Sequence, residues 1–302
     1  MTIGIEAVIA AIPEWRGKQI HSQPLAGGLT NSNFRVEVEG TPYFVRIPGA
    51  STELLAVDRK NEAHNTKAAA EAGVGPRVIH HLPEHDVMVL EFIPGQTMSN
   101  QSLSAPGMPA RIAQSLRRLH AGPRFLTDFN MFRLVEFYLK IVDEHRVLIP
   151  AGYRERLATI RQIEQALMAR TLPTVPCNND LLAENYIDDG TMLRLIDFEY
   201  SGNNDPCFEL GNTCQELQYD DGHFAELCTA YFGQARRHLL ARMRLYALMS
   251  DVGWTLWGAI QNKVSTIEYD FWGYAQSRWD RAQAIMNGPA FANWLKDAQR
   301  DS

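Results

Sequence analysis

Apolar and polar residues alternate with period two from Phe34 to Val38, where Arg35 and Glu37 separate Phe34, Val36 and Val38. This is the pattern of a strand with one buried face. Glu39-Gly40 then turns the chain into Pro42 to Ile47, which predicts a β-hairpin. Ala56 to Ala72 lacks Pro and Gly, is rich in Ala, Lys and Glu, and stops at Gly73, the signature of a helix with a glycine terminator. Two more strands are expected at Arg77 to His81 and Val87 to Ile93. Thr2 to Pro13 is mildly apolar but contains Glu6 and lacks the basic start of a secretory signal, so a short leading helix is expected there.

The pattern changes at Pro94-Gly95. Helical segments follow at Met108 to His120, Phe132 to Val147, Tyr153 to Arg170, and from about Phe208 onward. Two short strands, Tyr186-Ile187 and Leu193 to Leu195, interrupt them around an Asp188-Asp189-Gly190 turn. The expected fold is α+β and two-lobed: a small β-rich lobe over residues 1–93 and a larger, mostly helical lobe over residues 94–302. Near the end, Trp254, Trp257 and Gln261 share one helix face, and Ser265-Thr266-Ile267-Glu268 reads as a capping box. A new helix is therefore predicted from Ser265, with Tyr269 and Trp272 in its first turns.

Composition narrows the function. A chain of 302 residues with 45% hydrophobic and 21% charged residues is an ordinary globular protein. Its net charge of −6 argues against a nucleic-acid partner. The Arg-rich stretches Arg111 to Arg118 and Arg236 to Arg244 are broken by apolar residues at helical spacing, as solvated helix faces are. No apolar run reaches the length of a membrane span. Cys177, Cys207, Cys214 and Cys228 form no CxxC pair, which fits structural thiols in a reducing, cytoplasmic setting. His80, His81 and His85 crowd a Pro83 turn, where an exposed hairpin tip is expected rather than a metal site.

Candidate chemistry centres on Asp180 and Asn185, followed twelve positions later by Asp197. Phosphoryl transfer needs a carboxylate to accept the proton of an attacking hydroxyl, and an amide oxygen and second carboxylate to hold Mg²⁺. Folding at the turn between the two short strands would bring Asn185 and Asp197 together. Upstream, Gly27 and Gly28 would let backbone approach phosphate oxygens, with Thr30 and Asn31 as donors. Arg46, mid-strand, would reach the phosphates of ATP and be held by Glu62. Backbone at Glu91 and Ile93, just before the hinge, could meet an adenine. The chain thus reads as a small-molecule kinase using ATP and Mg²⁺. Four of the six tryptophans fall between positions 254 and 279, beside Tyr269, Phe271 and Tyr274. Aromatics at helical spacing usually fill a core, but π faces are also the natural recognition surface for a quaternary ammonium.

These stretches resemble the choline/ethanolamine kinase family, within the wider group of aminoglycoside phosphotransferases and protein kinases. The resemblance rests on Gly27-Gly28-Leu29-Thr30-Asn31, Val45-Arg46-Ile47, the Glu62 helix, Asn179-Asp180-Leu181-Leu182 with Asn185, and Ile196-Asp197-Phe198-Glu199-Tyr200. Glu209-Leu210-Gly211-Asn212 and the tail from Trp254 to Gln276 extend it. It implies a protein-kinase-like fold, Asp180 as base, and Asn185 and Asp197 as metal ligands. It further implies that Glu199 lies near the metal or substrate, that Glu216 faces the ammonium, and that Trp254, Trp257, Tyr269 and Tyr274 wall a choline pocket. One position departs: Asn178 stands where the family usually has His, and an amide is expected to replace part of its bracing. The implied activity is phosphorylation of a small cationic amino alcohol, choline foremost. Ethanolamine, thiamine or an aminoglycoside are alternative acceptors, with Glu209, Glu216, Asp220 and Asp221 available to a polyamine. A catalytically silent nucleotide or choline binder is the reading from another class.

Overall fold

A computed structural model describes residues 3–25, 28, 30–49 and 52–300. After the short helix α1 (Ile5–Ala11), β1 (Ile20–Leu25) pairs antiparallel with β2 (Asn31–Val38), and β2 with β3 (Thr41–Pro48). The predicted β2–β3 turn is present, with Glu39 at φ 50° and Gly40 at φ 83°, so both central residues take the positive φ that suits a tight hairpin. Helix α2 (Arg59–Glu71) starts three residues later than the composition suggested, because Asp58 caps it by accepting from the N–H groups of Lys60 and Asn61. Strands β4 (Val78–Leu82) and β5 (Val87–Glu91) complete a five-stranded antiparallel sheet in the order β1-β2-β3-β5-β4. Along β5, Val87 and Val89 pack under α1 with Trp15, while Met88 and Leu90 face α2 through Ala63. Both faces of that strand are therefore buried.

Past Pro94-Gly95, a short β6 (Gln96–Thr97) and helices α3 (Asn100–Leu103), α4 (Met108–His120), α5 (Met131–His145) and α6 (Leu157–Met168) lead to β7 (Val175–Cys177). The predicted hairpin of β8 (Tyr186–Asp188) and β9 (Leu193–Leu195) follows, with Tyr186 opposite Leu195. Strand β10 (Gly202–Asn204) precedes α7 (Pro206–Glu216), α8 (Asp221–Phe232), the 28-residue α9 (Arg237–Val264), α10 (Phe271–Asn287) and α11 (Phe291–Asp297). The helix expected from Ser265 is not there. Ser265 closes α9, and its hydroxyl accepts from the N–H of Ile267 in a local turn; α10 begins at Phe271 under Asp270, which accepts from Gly273.

Two cores fill the second lobe. One joins α5, α6, α9, α10 and α11; the other joins α4, α7, α8 and the β8–β9 hairpin. The lobes are not separate bodies. Leu55 and Val57 enter the first core and Ala68, Ala69 and Val74 the second. Small side chains make this approach possible: a Cβ on Gly122 of the second lobe would sit 2.7 Å from that of Ala72, the residue that closes α2. Asn61 and Asn65 add hydrogen bonds from α2 to the carbonyl of Ser201, at 2.8 and 3.2 Å. Among the described residues no helix is long and apolar enough to cross a membrane. All four cysteines are free and buried.

Candidate active site

The loop from β7 to β8 carries Asp180, and α7 braces it from below. The carboxylate of Glu209 accepts from the backbone N–H groups of Asn178 and Asn179 at 2.8 and 2.7 Å. One turn on, Asn212 accepts from the N–H of Leu181 at 3.0 Å and donates to Ser250. Gly211 lets α7 lie this close to α9, since a Cβ there would stand 2.3 Å from the carbonyl oxygen of Met243. Glu209 is therefore a brace and is fully buried, not a carboxylate open to a polyamine. Replacing it with Ala would leave two buried donors unsatisfied and should cost about 3 kcal/mol of stability, with Glu209→Gln milder because one oxygen remains. Thermal unfolding measures this; an unchanged melting temperature in the Ala variant would remove Glu209 from the loop's support.

Asn178 performs three tasks at once. Its Nδ2 donates to the carbonyls of Ile196 and Asp197 at 3.1 and 2.8 Å, and its Oδ1 accepts from the N–H of Asp180 at 3.1 Å. The residue that departs from the expected His thus ties the Asp180 loop to the Asp197 loop. Asn185, also buried, donates Nδ2 to the carbonyl of Asp180 at 2.7 Å, and its own carbonyl accepts from the N–H of Ile196 at 3.0 Å. The three sequence-predicted residues therefore converge at the open end of the β8–β9 hairpin. Asp197 adopts φ 61°, which aims it away from the strand path, and it opens onto solvent. Although the residue is exposed on one side, the protein packed around its carboxyl restricts hydration and, with the charge of Glu199, raises it to about 6, against the opposing pull of Arg46 and Arg59. Burial, Glu216, Asp197 and Glu199 raise the Asp180 carboxyl well above the usual carboxylate range, and Arg278 lowers it.

On the first lobe, Arg46 pairs with Glu62 as predicted, and both are buried. Burial and the neighbouring Arg59 bring the Arg46 guanidinium down to about 10. Gly28 takes φ 91°, and a Cβ there would stand 2.9 Å from Asn33 Nδ2, so the position needs glycine; Gly27 lies outside the described residues. Thr30 and Asn31 spend their donors on Glu199, at 2.7 and 2.9 Å. The N–H of Glu91 is taken by the carbonyl of Arg77, and its carboxylate by Arg77 itself, so Glu91 could meet a purine at most through its own carbonyl. Ile93 is buried at the hinge.

The aromatic tail gathers beside this cleft. Trp257 donates Nε1 to Tyr200 at 2.7 Å and meets Phe271 and Tyr274 at ring distances of 5.9 and 5.5 Å. Tyr269, half exposed in the loop before α10, meets Phe271 and Tyr274 at 4.9 and 6.4 Å. Trp254 packs edge-on to Tyr200 and is buried, with an indole N–H that has no partner among the described residues. Glu216 does not stand free: Arg278 grips it through two bonds of 2.7 Å while the guanidinium lies 4.3 Å from the centre of Tyr274. Sequence reasoning missed Arg278 and Arg59, because an arginine in a helix carries no local mark of burial.

A protein-family model described as choline/ethanolamine kinase matches residues 22–232. Mouse ethanolamine kinase 2 is 26% identical over 300 aligned residues, covering 89% of this chain and 77% of the relative. The crystal structure of a choline/ethanolamine kinase family protein from Mesorhizobium loti superposes with a TM-score of 0.85 at 38% identity, covering 97% of both chains. The choline kinase LicA of Streptococcus pneumoniae shares the fold, with a TM-score of 0.79 at 23% identity over 92% of this chain and 98% of its own.

Proposed function

Because the chain belongs to the choline/ethanolamine kinase family, we propose that it phosphorylates the hydroxyl of a small cationic amino alcohol, choline foremost, at the expense of ATP. The residues fit a polyanion and a hard cation. Arg46 Nε is buried without a partner among the described residues, a donor that a phosphate oxygen would satisfy. The Asn185 amide and the Asp197 carboxylate are the oxygen donors that Mg²⁺ takes. When bound, that ion offsets charge on the triphosphate. Asp180 orients the acceptor hydroxyl toward the γ-phosphorus and accepts its proton as the new O–P bond forms and the γ-phosphorus bond to the bridging oxygen breaks, releasing ADP, while Asn178 keeps base and metal loop in register. Positioning and charge supply most of the rate.

The choice of choline rests on one observation: Glu216, the carboxylate that Arg278 holds beside the Tyr274 ring, already forms a two-bond ion pair with that arginine. A primary ammonium has three hydrogen bonds to donate, and the Glu216 charge is already balanced by Arg278. A quaternary ammonium has none to donate and needs only the faces of Trp257, Phe271, Tyr274 and Tyr269. A polyamine sugar fares worse, since Glu209 is under the loop, Asp220 caps α8 and Asp221 pairs with Arg244.

An acceptor panel with labelled ATP tests this. We expect kcat/KM for choline to exceed that for ethanolamine, thiamine and aminoglycosides. Trp257→Ala should raise the KM for choline about 30-fold, the equivalent of a desolvated cation–π contact of about 2 kcal/mol, with little change for ATP. Trp257→Phe, which keeps a π face, should lose less. Preference for ethanolamine would overturn the choline assignment, equal effects on both substrates would reduce the aromatics to core, and nucleotide binding without product from any acceptor would mark a silent binder.

A further inference from the structure

Arg59 sits at the first position of α2 and is almost fully buried. Its Nη1 donates to Glu62 at 2.8 Å and to Glu199 at 3.0 Å, and its Nη2 donates to Asn31 at 2.9 Å. Asn31 in turn donates to the same Glu199 oxygen at 2.9 Å, closing a ring of three side chains. The pair expected between Arg46 and Glu62 is therefore the start of a longer chain, Arg46–Glu62–Arg59–Glu199. Its charges alternate in sign, and it runs from β3 to the loop that carries Asp197. Both oxygens of Glu199 are spent on first-lobe donors, Oε1 on Thr30 and Oε2 on Asn31 and Arg59.

What this network leaves over is informative. The Nε–H of Arg59 is buried and has no partner among the described residues, and the same is true of Arg46. A buried guanidinium donor without an acceptor is costly, and one buried in each of two arginines close enough to perturb one another is a pattern that an arriving polyanion would complete. A lysine in the place of Arg59 could pair with one carboxylate, but it could not hold three acceptors in a plane and keep a fourth donor in reserve.

We propose that Arg59 is a second cation of the nucleotide-phosphate site: its fork fixes Glu62, Asn31 and Glu199, and its Nε–H donates to the polyphosphate. Glu199 is then the anchor of this cation on the second lobe rather than a group that meets the acceptor. The inference rests on the phosphotransfer reading above, and the experiment separates the two.

Binding of adenosine and of a nonhydrolysable ATP analogue, each with Mg²⁺, is measured by calorimetry for the wild type, Arg59→Lys and Arg59→Met, with melting curves to establish folding. The expected result is a Kd for the ATP analogue raised at least tenfold in both variants, with adenosine affinity within twofold of the wild type. A purely structural role would move both ligands together or neither. Equal losses for adenosine and the analogue, or an unchanged Kd for the analogue in a folded variant, would overturn the assignment. If the Met variant does not fold, the Lys variant decides. A wild type that binds neither ligand would strike the kinase reading, and this inference with it.

Discussion

Asp180→Asn should lower kcat by about 10²- to 10⁴-fold, the usual worth of a positioned general base, while nucleotide affinity holds and the melting temperature rises. The three parts of this expectation have separate causes. Turnover is lost because an amide cannot accept the hydroxyl proton. The loop keeps its shape because its hydrogen bonds, from Asn178 Oδ1 to the Asp180 N–H and from Asn185 Nδ2 to the Asp180 carbonyl, involve only the backbone of residue 180. The gain in stability follows from the sign of the ionisation shift. A carboxyl raised by burial and by Glu216, Asp197 and Glu199 stabilises the fold only while protonated, and that contribution is lost as pH rises through its folded value. Above the ordinary carboxylate range the group is a net burden on the fold, which Asn removes. For the same reason, wild-type activity should fall toward acid pH as the base is protonated. Steady-state kinetics, calorimetry and melting curves measure the three effects, and near-wild-type phosphorylation of choline by Asp180→Asn would end the assignment of Asp180 as base.

The parts of this molecule that were legible in its sequence are those fixed by neighbours. The period-two stretch at Phe34 to Val38 and the run from Met108 to His120 announce their own buried faces, and the structure has a strand and a helix there. Asp180, Asn185 and Asp197 lie within one hairpin of each other, so a turn signal was enough to bring them together. The Ser265 capping signature misled because a hydroxyl can serve a tight turn as well as a helix start, and Asp270 supplied the stronger cap. Glu216 and Arg278 are 62 residues apart and Arg59 and Glu199 are 140 apart, and no local pattern encodes such pairings. Asn178 was legible only as a departure; its worth lies in the two carbonyls it reaches 18 and 19 residues away.

Asp197→Asn should be the most damaging change of all, lowering kcat/KM for ATP by about 10³-fold or more, since a metal on phosphate oxygens is worth several kcal/mol and each 1.36 kcal/mol is about a factor of ten. Three carboxylates, Glu62, Asp197 and Glu199, bring ligand atoms within 4.8 Å of one another. Glu62 is committed to Arg46 and Arg59, and Glu199 to Thr30, Asn31 and Arg59. Asp197 alone among them has no ion pair with any described residue and faces solvent, so on the proposed reading it is the negative charge left to balance Mg²⁺ beside the Asn185 amide. The substitution is chosen to spare the backbone: at φ 61° the left-handed conformation suits Asn as well as Asp, whereas a β-branched or bulky residue would be strained there. A folded Asp197→Asn protein should therefore bind the ATP analogue with little benefit from added Mg²⁺, where the wild type gains affinity as the ion is titrated in. Retention of the wild-type Mg²⁺ dependence together with a tenth or more of its rate would mean that the ion is held elsewhere and that the hairpin's open end is not the metal site.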